Sequence, residues 1–565
     1  MTKKRRKRKL KVGRIALALF GFLVIIASIV GLIYFIKNNG LNTNRTDMYL
    51  ASSGDMVEIF TMDEDGNLNA NDKLVRGTKV ISLNTEIIRD EISYTELEYN
   101  DAIFYVLSES LVSNDREVVQ EKIKYVRTSV TVYENESDSK IESFIKKGNE
   151  LEIVGYDKIF EDGKVNMYEI KQGDIQGWVY AKYLVDDIDS ANANYNENGV
   201  YDTHKDRKFS GRELHGGSAS TLDYYPYEKV EFEDNPLLKK AKTMYLNAGS
   251  HIINNIDKYL DIAQNNDVNA IVVDIKDGAL AYSSDVAKEY SSTAYESAIN
   301  DNDVYKSAID KIKEAGIYVI GRIVVFNDVH YGKDHPDDCI SSTVSGRLWP
   351  SVYSRGAWEY NVELAKEAVV KMGFNEIQFD YVRFPEDAYN MSVNGNTDFK
   401  NVYDEEKAEA VQNFLFYAVD QIHKVGAYLS VDVFGECSSE YVTAYGQYWP
   451  AISNIVDVIS SMPYTDHFGR NVDTWSNPYK TVYNWAVPAA KRQTEIPTPA
   501  VARTWITAYD TPYWNATVVY DASKISDQVQ ALYDAGLTGG FITWNSGSSL
   551  SKYEQIKSAF AKEYS

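Results

Sequence analysis

The chain is poor in cysteine and histidine. Two cysteines in 565 residues, Cys339 and Cys437, exclude a disulfide framework. The sequence leaves open a single bridge between them. Only seven histidines are present. His330 and His335 are the sole close pair and read as part of a solvated loop, so the His-rich site of a zinc deacetylase is not supported. No G-x-S-x-G nucleophile elbow occurs, which disfavours a serine hydrolase. No G-x-G-x-x-G turn follows the first strand of the C-terminal half, which disfavours an open doubly wound sheet. No calcium loop with its terminal Glu is seen. The expectation is therefore no cofactor and no metal. Basic charge is also scarce. The formal net charge is -23 although residues 1–14 carry nine basic residues and no acidic one. The remainder is more acidic still, which excludes nucleic acid as its partner.

Long apolar runs are equally rare, with one exception. Ile15 to Ile36 carries no charge over 22 residues. At about 1.5 Å rise per residue it is long enough to span a bilayer core. It exceeds the ~7–15 apolar residues of a signal peptide, and no A-x-A cleavage pattern precedes Asn38. The expectation is a single-pass cell-membrane protein. Residues 1–14 would be cytoplasmic under the positive-inside rule, residues 15–36 the transmembrane helix, and the rest extracellular.

Aromatic residues are abundant at 13%, with 43 Tyr and 9 Trp. Residues 45–186 are rich in short strand-like runs such as Ala102-Ile-Phe-Tyr-Val-Leu107 and Glu150-Leu-Glu-Ile-Val-Gly-Tyr156. A weak repeat divides them into β modules at 45–115 and 121–186. Ile103–Val112 parallels Gly177–Val185, each after a strand, a Gly-containing step and another strand. The second module resembles a bacterial SH3-like domain in Tyr125-Val-Arg-Thr-Ser-Val-Thr-Val-Tyr133, Ile145-Lys-Lys-Gly148 and Gly177-Trp-Val-Tyr-Ala-Lys-Tyr-Leu184. The first lacks the closing Gly-Trp. The resemblance implies binding to the cell wall, and a passive spacer stands equal to it. Residues 187–240 read as an Asn-rich linker and lead-in.

From 241 to 565, strand-like runs alternate with amphipathic segments, the pattern of a parallel sheet with crossover helices. Eight strands are counted: Thr243–Ala248, Ala270–Asp277, Tyr318–Phe326, Glu376–Asp380, Tyr428–Glu436, Val456–Pro463, Ala500–Trp505 and Gly540–Asn545. Helices are expected over Glu359–Met372, Asn413–Val425 and Ile525–Gly536, with Gly316, Gly373, Gly426 and Gly536 at helix ends. The predicted fold class is α/β: a (β/α)8 TIM barrel with small all-β modules and an N-terminal membrane helix. An open doubly wound sheet is the alternative.

Polar residues gather at the carboxyl ends of these strands, where barrel enzymes keep their chemistry. They are Asp274 and Asp277, Asn327 and Asp328, Asp380 and Arg383, Asp432 and Glu436, Tyr464 and Asp466, Arg503, and Trp544 with Asn545. A buried ion-pair layer of Asp274, Asp432 and Arg503 is the plain structural alternative. Glycosidic cleavage needs two carboxylates. Asp380 and Glu436 stand on neighbouring strands, which lie about 4.8 Å apart. That suits the ~5–5.5 Å separation of retaining enzymes. Asp380 is read as nucleophile, Glu436 as acid/base, and Arg383 as the group orienting Asp380, with Asp274 in the catalytic set. Asp432, Tyr381, Trp349, Tyr464, Arg503, Trp544 and Asn545 are candidate substrate contacts. Trp449 and Trp505 are further candidate sugar platforms.

Residues 241–565 resemble the glycosyl hydrolase domain of Gram-positive envelope proteins. The matching stretches are Val272-Val-Asp-Ile-Lys-Asp-Gly278, Leu348-Trp-Pro350, Gln378-Phe-Asp-Tyr-Val-Arg-Phe-Pro385, Asp432-Val-Phe-Gly435, Ser461-Met-Pro-Tyr464 and Gly540-Phe-Ile-Thr-Trp544. The resemblance implies a hydrolase with a polysaccharide substrate. A distant likeness to the α-amylase arrangement breaks at Gln378, which stands where that pattern has Arg. The alternative from another class is a polysaccharide receptor without catalysis.

Overall fold

The computed structural model describes residues 45–565 except 138, 470, 514 and 515. Two compact units divide it. One runs to Ile123 and includes Glu152–Glu169; the other comprises Lys124–Leu151 and Ile170–Ser565.

Residues 46–112 form a seven-stranded antiparallel sheet over a core of Leu50, Val57, Val80, Leu97 and Val106. In space its strands run third, second, sixth, fifth, fourth, first, seventh in chain order. The sheet over 123–185 has seven strands in the same spatial order. Both sheets close through a short 3-10 turn, Ser108–Ser110 in the first and Ala181–Tyr183 in the second. The weak sequence repeat is therefore a repeat of topology. The first module keeps that topology without the Gly-Trp pair.

Nine parallel strands build the barrel: β1 (Ala241–Leu246), β2 (Ala270–Asp277), β3 (Tyr318–Val324), β4 (Glu376–Asp380), β5 (Tyr428–Phe434), β6 (Val458–Met462), β7 (Val501–Ala502), β8 (Thr504–Thr507) and β9 (Gly540–Trp544). Their order is β7-β6-β5-β4-β3-β2-β1-β9-β8, a nearly closed cylinder. The short strand Ala279–Leu280 folds back antiparallel on β2. Most of these strands are buried on both faces, hence the continuous apolar runs.

The helices pack outside. In α1 (Arg355–Met372) the Ser354 hydroxyl accepts the Ala357 N–H at 3.1 Å, and Gly373 ends the helix at φ +88°. In α2 (Lys407–His423) the Phe414 ring stacks on Phe379 of β4 at 5.7 Å. Phe379 thus points outward, and by strand alternation Glu376, Gln378 and Asp380 point into the barrel. Gly540 begins β9 at φ +99°. A Cβ there would lie 2.1 Å from the Ala241 carbonyl oxygen, so only glycine lets β9 approach β1.

Two expectations are corrected. The fold has nine barrel strands rather than eight, because the seventh breaks at Arg503. Its first half pairs with β6 and its second with β9. Between them the Arg503 guanidinium turns inward, donating to Glu376 Oε1 at 2.8 Å and to the Leu238 carbonyl at 2.9 Å. The second correction concerns the membrane helix and the cell-membrane localisation built on it. Among the described residues no helix is long and apolar enough to cross a membrane. The stretch read as the span, residues 15–36, lies outside the described residues, as does the basic segment before it. Cys339 and Cys437 are both buried and free, so the open bridge is not formed.

Arg503 and Glu376 are both fully buried. Removing one partner strands the other charge, which typically costs about 3–5 kcal/mol. Arg503→Met is expected to lower unfolding stability by that amount in urea titration. Arg503→Met combined with Glu376→Leu is expected to recover a substantial part of it.

Candidate active site

The carboxyl ends of β2, β3, β4 and β5 place four charged side chains in one cluster. Asp274 and Arg322 are register partners on adjacent strands, and Asp380 lies beside Val324 at the end of β3. Arg322 is the centre. Its Nη1 donates to Asp274 Oδ1 at 2.8 Å and to Asp277 Oδ2 at 3.1 Å. Its Nη2 donates to Asp380 Oδ2 at 2.7 Å. Its Nε stands 3.8 Å from Asp432 Oδ2, and neither of those two atoms has a hydrogen-bond partner. Arg322, Asp274, Asp380 and Asp432 are all buried, while Asp277 is half-exposed.

Each carboxylate has a second anchor. Tyr245 donates its hydroxyl to Asp274 Oδ2 at 2.5 Å. The Trp505 indole N–H donates to Asp432 Oδ1 at 2.6 Å. Asp380 Oδ1 accepts the Tyr381 backbone N–H at 2.6 Å. Tyr381 itself sits at φ +57°, a left-handed conformation uncommon outside glycine. Its ring lies 6.0 Å from Trp349.

One guanidinium among several carboxylates cannot neutralise them all, and burial adds to the cost of ionisation. Burial pushes the Asp274 carboxyl up to about 6, against the lowering effect of Arg322. Burial, then the charge of Asp380, raises Asp432 well above the usual carboxylate range, with Arg322 and the Trp505 hydrogen bond opposing. Burial weakens the Arg322 charge, but Asp274 and Asp380 outweigh it and hold the guanidinium above its ordinary value.

Arg383 does not reach Asp380 as the sequence reading had it. Its Nη2 donates to Glu386 Oε1 at 2.7 Å and its Nη1 to the Phe384 carbonyl at 3.0 Å. Its guanidinium lies over the rings of Phe434, Tyr381 and Trp349 at 4.2, 4.7 and 5.4 Å. It fastens the turn after β4. The residue that grips Asp380 is Arg322, which the sequence reading passed over. The signal was present: an arginine inside the otherwise apolar run Tyr318-Val-Ile-Gly-Arg-Ile-Val-Val-Phe326.

Glu436 is exposed on the 3-10 turn Gly435–Ser438 that follows β5. Its carboxylate accepts the Tyr441 hydroxyl at 3.0 Å and the Tyr445 hydroxyl at 2.8 Å. Arg503 lies at the opposite, amino-terminal end of the barrel with Glu376 and is no part of this mouth. Asn545 is buried and donates to the Ser549 carbonyl at 3.2 Å. The half-buried Trp544 ring stacks near Tyr464 at 6.3 Å and lies 5.5 Å from the Arg322 guanidinium. Trp349, Trp449 and Trp505 are almost fully buried, and Trp449 donates to Gln493 in the core. Of the candidate stacking residues, Trp544 and Tyr381 keep open surface. His335 accompanies Tyr331 in a stack at 4.3 Å and bonds the Tyr290 carbonyl oxygen.

The aspartates and their arginine gather at the carboxyl-end mouth of a parallel barrel, the face where barrel enzymes place their active sites. The chain belongs to the family described as "Putative glycosyl hydrolase domain", which matches residues 243–550. The family expected from the sequence is thus confirmed. Among solved structures, a hypothetical protein from Ruminiclostridium thermocellum is 31% identical, with 34% of this chain covering 97% of that one at a TM-score of 0.27. The PgaB (BpsB) glycoside hydrolase domain of Bordetella bronchiseptica is 11% identical over 57% of this chain and 99% of its own, at 0.42. The spore cortex-lytic enzyme SleL of Bacillus megaterium is 13% identical over 57% and 76%, at 0.36. All three scores lie below 0.5, so the assignment rests on the family match. No curated protein matches the sequence.

The raised Asp274 value has a stability consequence with a definite sign. The folded state favours the protonated form, so the contribution is complete below the unfolded value near ~3.9 and is lost as pH rises through about 6. Asp274→Asn is expected to flatten that part of the stability profile. Urea midpoints measured from pH 4 to pH 7 check it.

Proposed function

We propose that this chain is a glycoside hydrolase acting on a cell-wall or extracellular polysaccharide. The observation that carries the reading is Asp380: a buried carboxylate at the end of β4, oriented at both oxygens by Arg322 and the Tyr381 N–H, with Glu436 just beyond the end of the adjacent strand β5.

In this reading Asp380 attacks the anomeric carbon and forms the glycosyl ester. Glu436 gives its proton to the departing oxygen and then takes one from the incoming water, which cleaves the ester and restores Asp380. Arg322 holds one Asp380 oxygen and the Tyr381 N–H holds the other, so each oxygen accepts one donor and keeps lone-pair capacity for the reaction. Asp274 and Asp432 share the same cation. Burial raises both carboxyls above the ordinary range, so protonation beside Asp380 is favoured over that of an exposed aspartate. Trp544 and Tyr381 offer the open aromatic faces against which a sugar ring packs. The acidic mouth disfavours polyanionic glycans and suits neutral or basic ones.

Reducing-end release from a panel of wall and extracellular polysaccharides tests the reading on the full chain. Glu436→Gln is expected to lower the rate by about 10²–10⁴, and Asp380→Asn to bring it to background. NMR of the first-formed anomer is expected to show retention. Polymer binding without release in the parent chain overturns the enzyme reading and leaves a receptor. Inversion removes the nucleophile role from Asp380.

A further inference from the structure

The second β module was read from the sequence as either a wall-targeting domain or a spacer. Its contacts within the second compact unit commit one face of it to the barrel. Asp420 on α2 is buried and receives three donors. Lys182 Nζ reaches its Oδ1 at 2.5 Å, the Tyr227 hydroxyl reaches the same oxygen at 2.6 Å, and the Tyr183 hydroxyl reaches Oδ2 at 2.8 Å. Two of these donors belong to the module and one to the lead-in segment. A buried carboxylate with three donors is held in one geometry, because losing any of them leaves it undersatisfied.

The module's aromatic face continues the contact. Tyr133 stacks on Tyr417 of α2 at 6.1 Å, and Tyr183 meets Phe416 edge-on at 5.3 Å. Tyr417 donates to the Ser139 carbonyl at 2.8 Å. On α1, Glu359 accepts the Ile141 N–H at 2.6 Å and Glu363 accepts the Ser139 hydroxyl. Arg355, the first residue of α1, lies between Phe144 of the module at 4.3 Å and Trp358 at 3.9 Å, with Tyr403 at 4.5 Å. Its Nη2 also donates to Glu405 at 2.8 Å. An arginine in an aromatic slot is the contact such a face would offer a cationic ligand. Here the barrel supplies the cation. Tyr133, Phe144, Tyr180 and Tyr183 are each buried as a result.

We propose that the part of the second β module within this unit, residues 124–151 and 170–185, is a fixed brace of the barrel, its aromatic face committed to α1 and α2 and closed to outside ligands. α1 runs directly into β4, which ends in Asp380, and α2 into β5, which carries Asp432 and leads to Glu436. The module therefore braces the two helices that lead into β4 and β5. Asp420, Tyr183 and Arg355 hold this contact and touch none of the candidate catalytic groups. The inference stands on packing and is independent of the glycosidase reading.

Amide hydrogen exchange on the full chain tests it. In the parent, amides of Val130–Tyr133 and Ile141–Ile145 are expected to match the protection of α2 within about tenfold, as one cooperative unit. Asp420→Ala is expected to speed exchange in those strands and in α2 by about tenfold or more, leaving β1 to β3 unchanged. Asp420→Asn, which keeps one acceptor oxygen, is expected to fall between. Module strands that exchange more than about a hundredfold faster than α2 in the parent overturn the proposal, and that arm needs no variant to fold. Unchanged exchange in Asp420→Ala overturns it as well.

Discussion

The organisation of the barrel mouth depends on one guanidinium. Arg322 is buried, holds Asp274 and Asp380 by direct hydrogen bonds, and stands close to Asp432. Taking a single arginine out of water costs several kcal/mol, and taking several carboxylates out with it costs more. The cluster persists because each group has a second anchor: Tyr245 for Asp274, the Tyr381 N–H for Asp380, and Trp505 for Asp432. Burial raises both Asp274 and Asp432 above the ordinary carboxylate range, against the lowering effect of Arg322. Such an arrangement contributes little to stability for its cost. It holds Asp380 in a fixed orientation at the end of β4.

A second buried pair does different work. Arg503 and Glu376 lie at the amino-terminal end, where barrel residues maintain the fold rather than the chemistry. Arg503 breaks the seventh strand in two, yet its backbone N–H still donates to the Ile459 carbonyl at 3.0 Å. The cylinder stays joined to β6 there at the expense of one ladder. The two arginines thus divide the barrel interior into an end that closes it and an end that displays the site.

Much of the fold was legible because it is locally encoded. Runs such as Ala270-Ile-Val-Val-Asp-Ile-Lys-Asp277 declare a buried strand, and helices ending at Gly316, Gly373, Gly426 and Gly536 have those glycines at positive φ. The gathering of Asp274, Asp380 and Asp432 was also legible, from their place at strand ends. The pairing within the cluster was not. Arg383 is three residues from Asp380 and looked like its natural partner, whereas Arg322 is 58 residues away and meets it only through strand register. Arg503 has the same sequence signature as a mouth residue, but its side chain faces the other end. Likewise Trp449 and Trp544 are indistinguishable by composition, and only burial separates a core ring from an open one. The docking of the second module was hidden for a related reason. Its aromatic face has the same composition whether it meets a glycan or the barrel's own helices.

The central claim is that one cation, Arg322, serves three buried aspartates, and that burial and the neighbouring charge of Asp380 favour the protonated form of Asp432. Carbon-13 NMR of aspartate carboxyls through a pH titration of the full chain measures this directly, with Asp432→Asn as the assignment control. The account predicts a carboxyl signal that titrates above the ordinary aspartate range and disappears in Asp432→Asn. Aspartate carboxyls that all titrate in the ordinary range would contradict it.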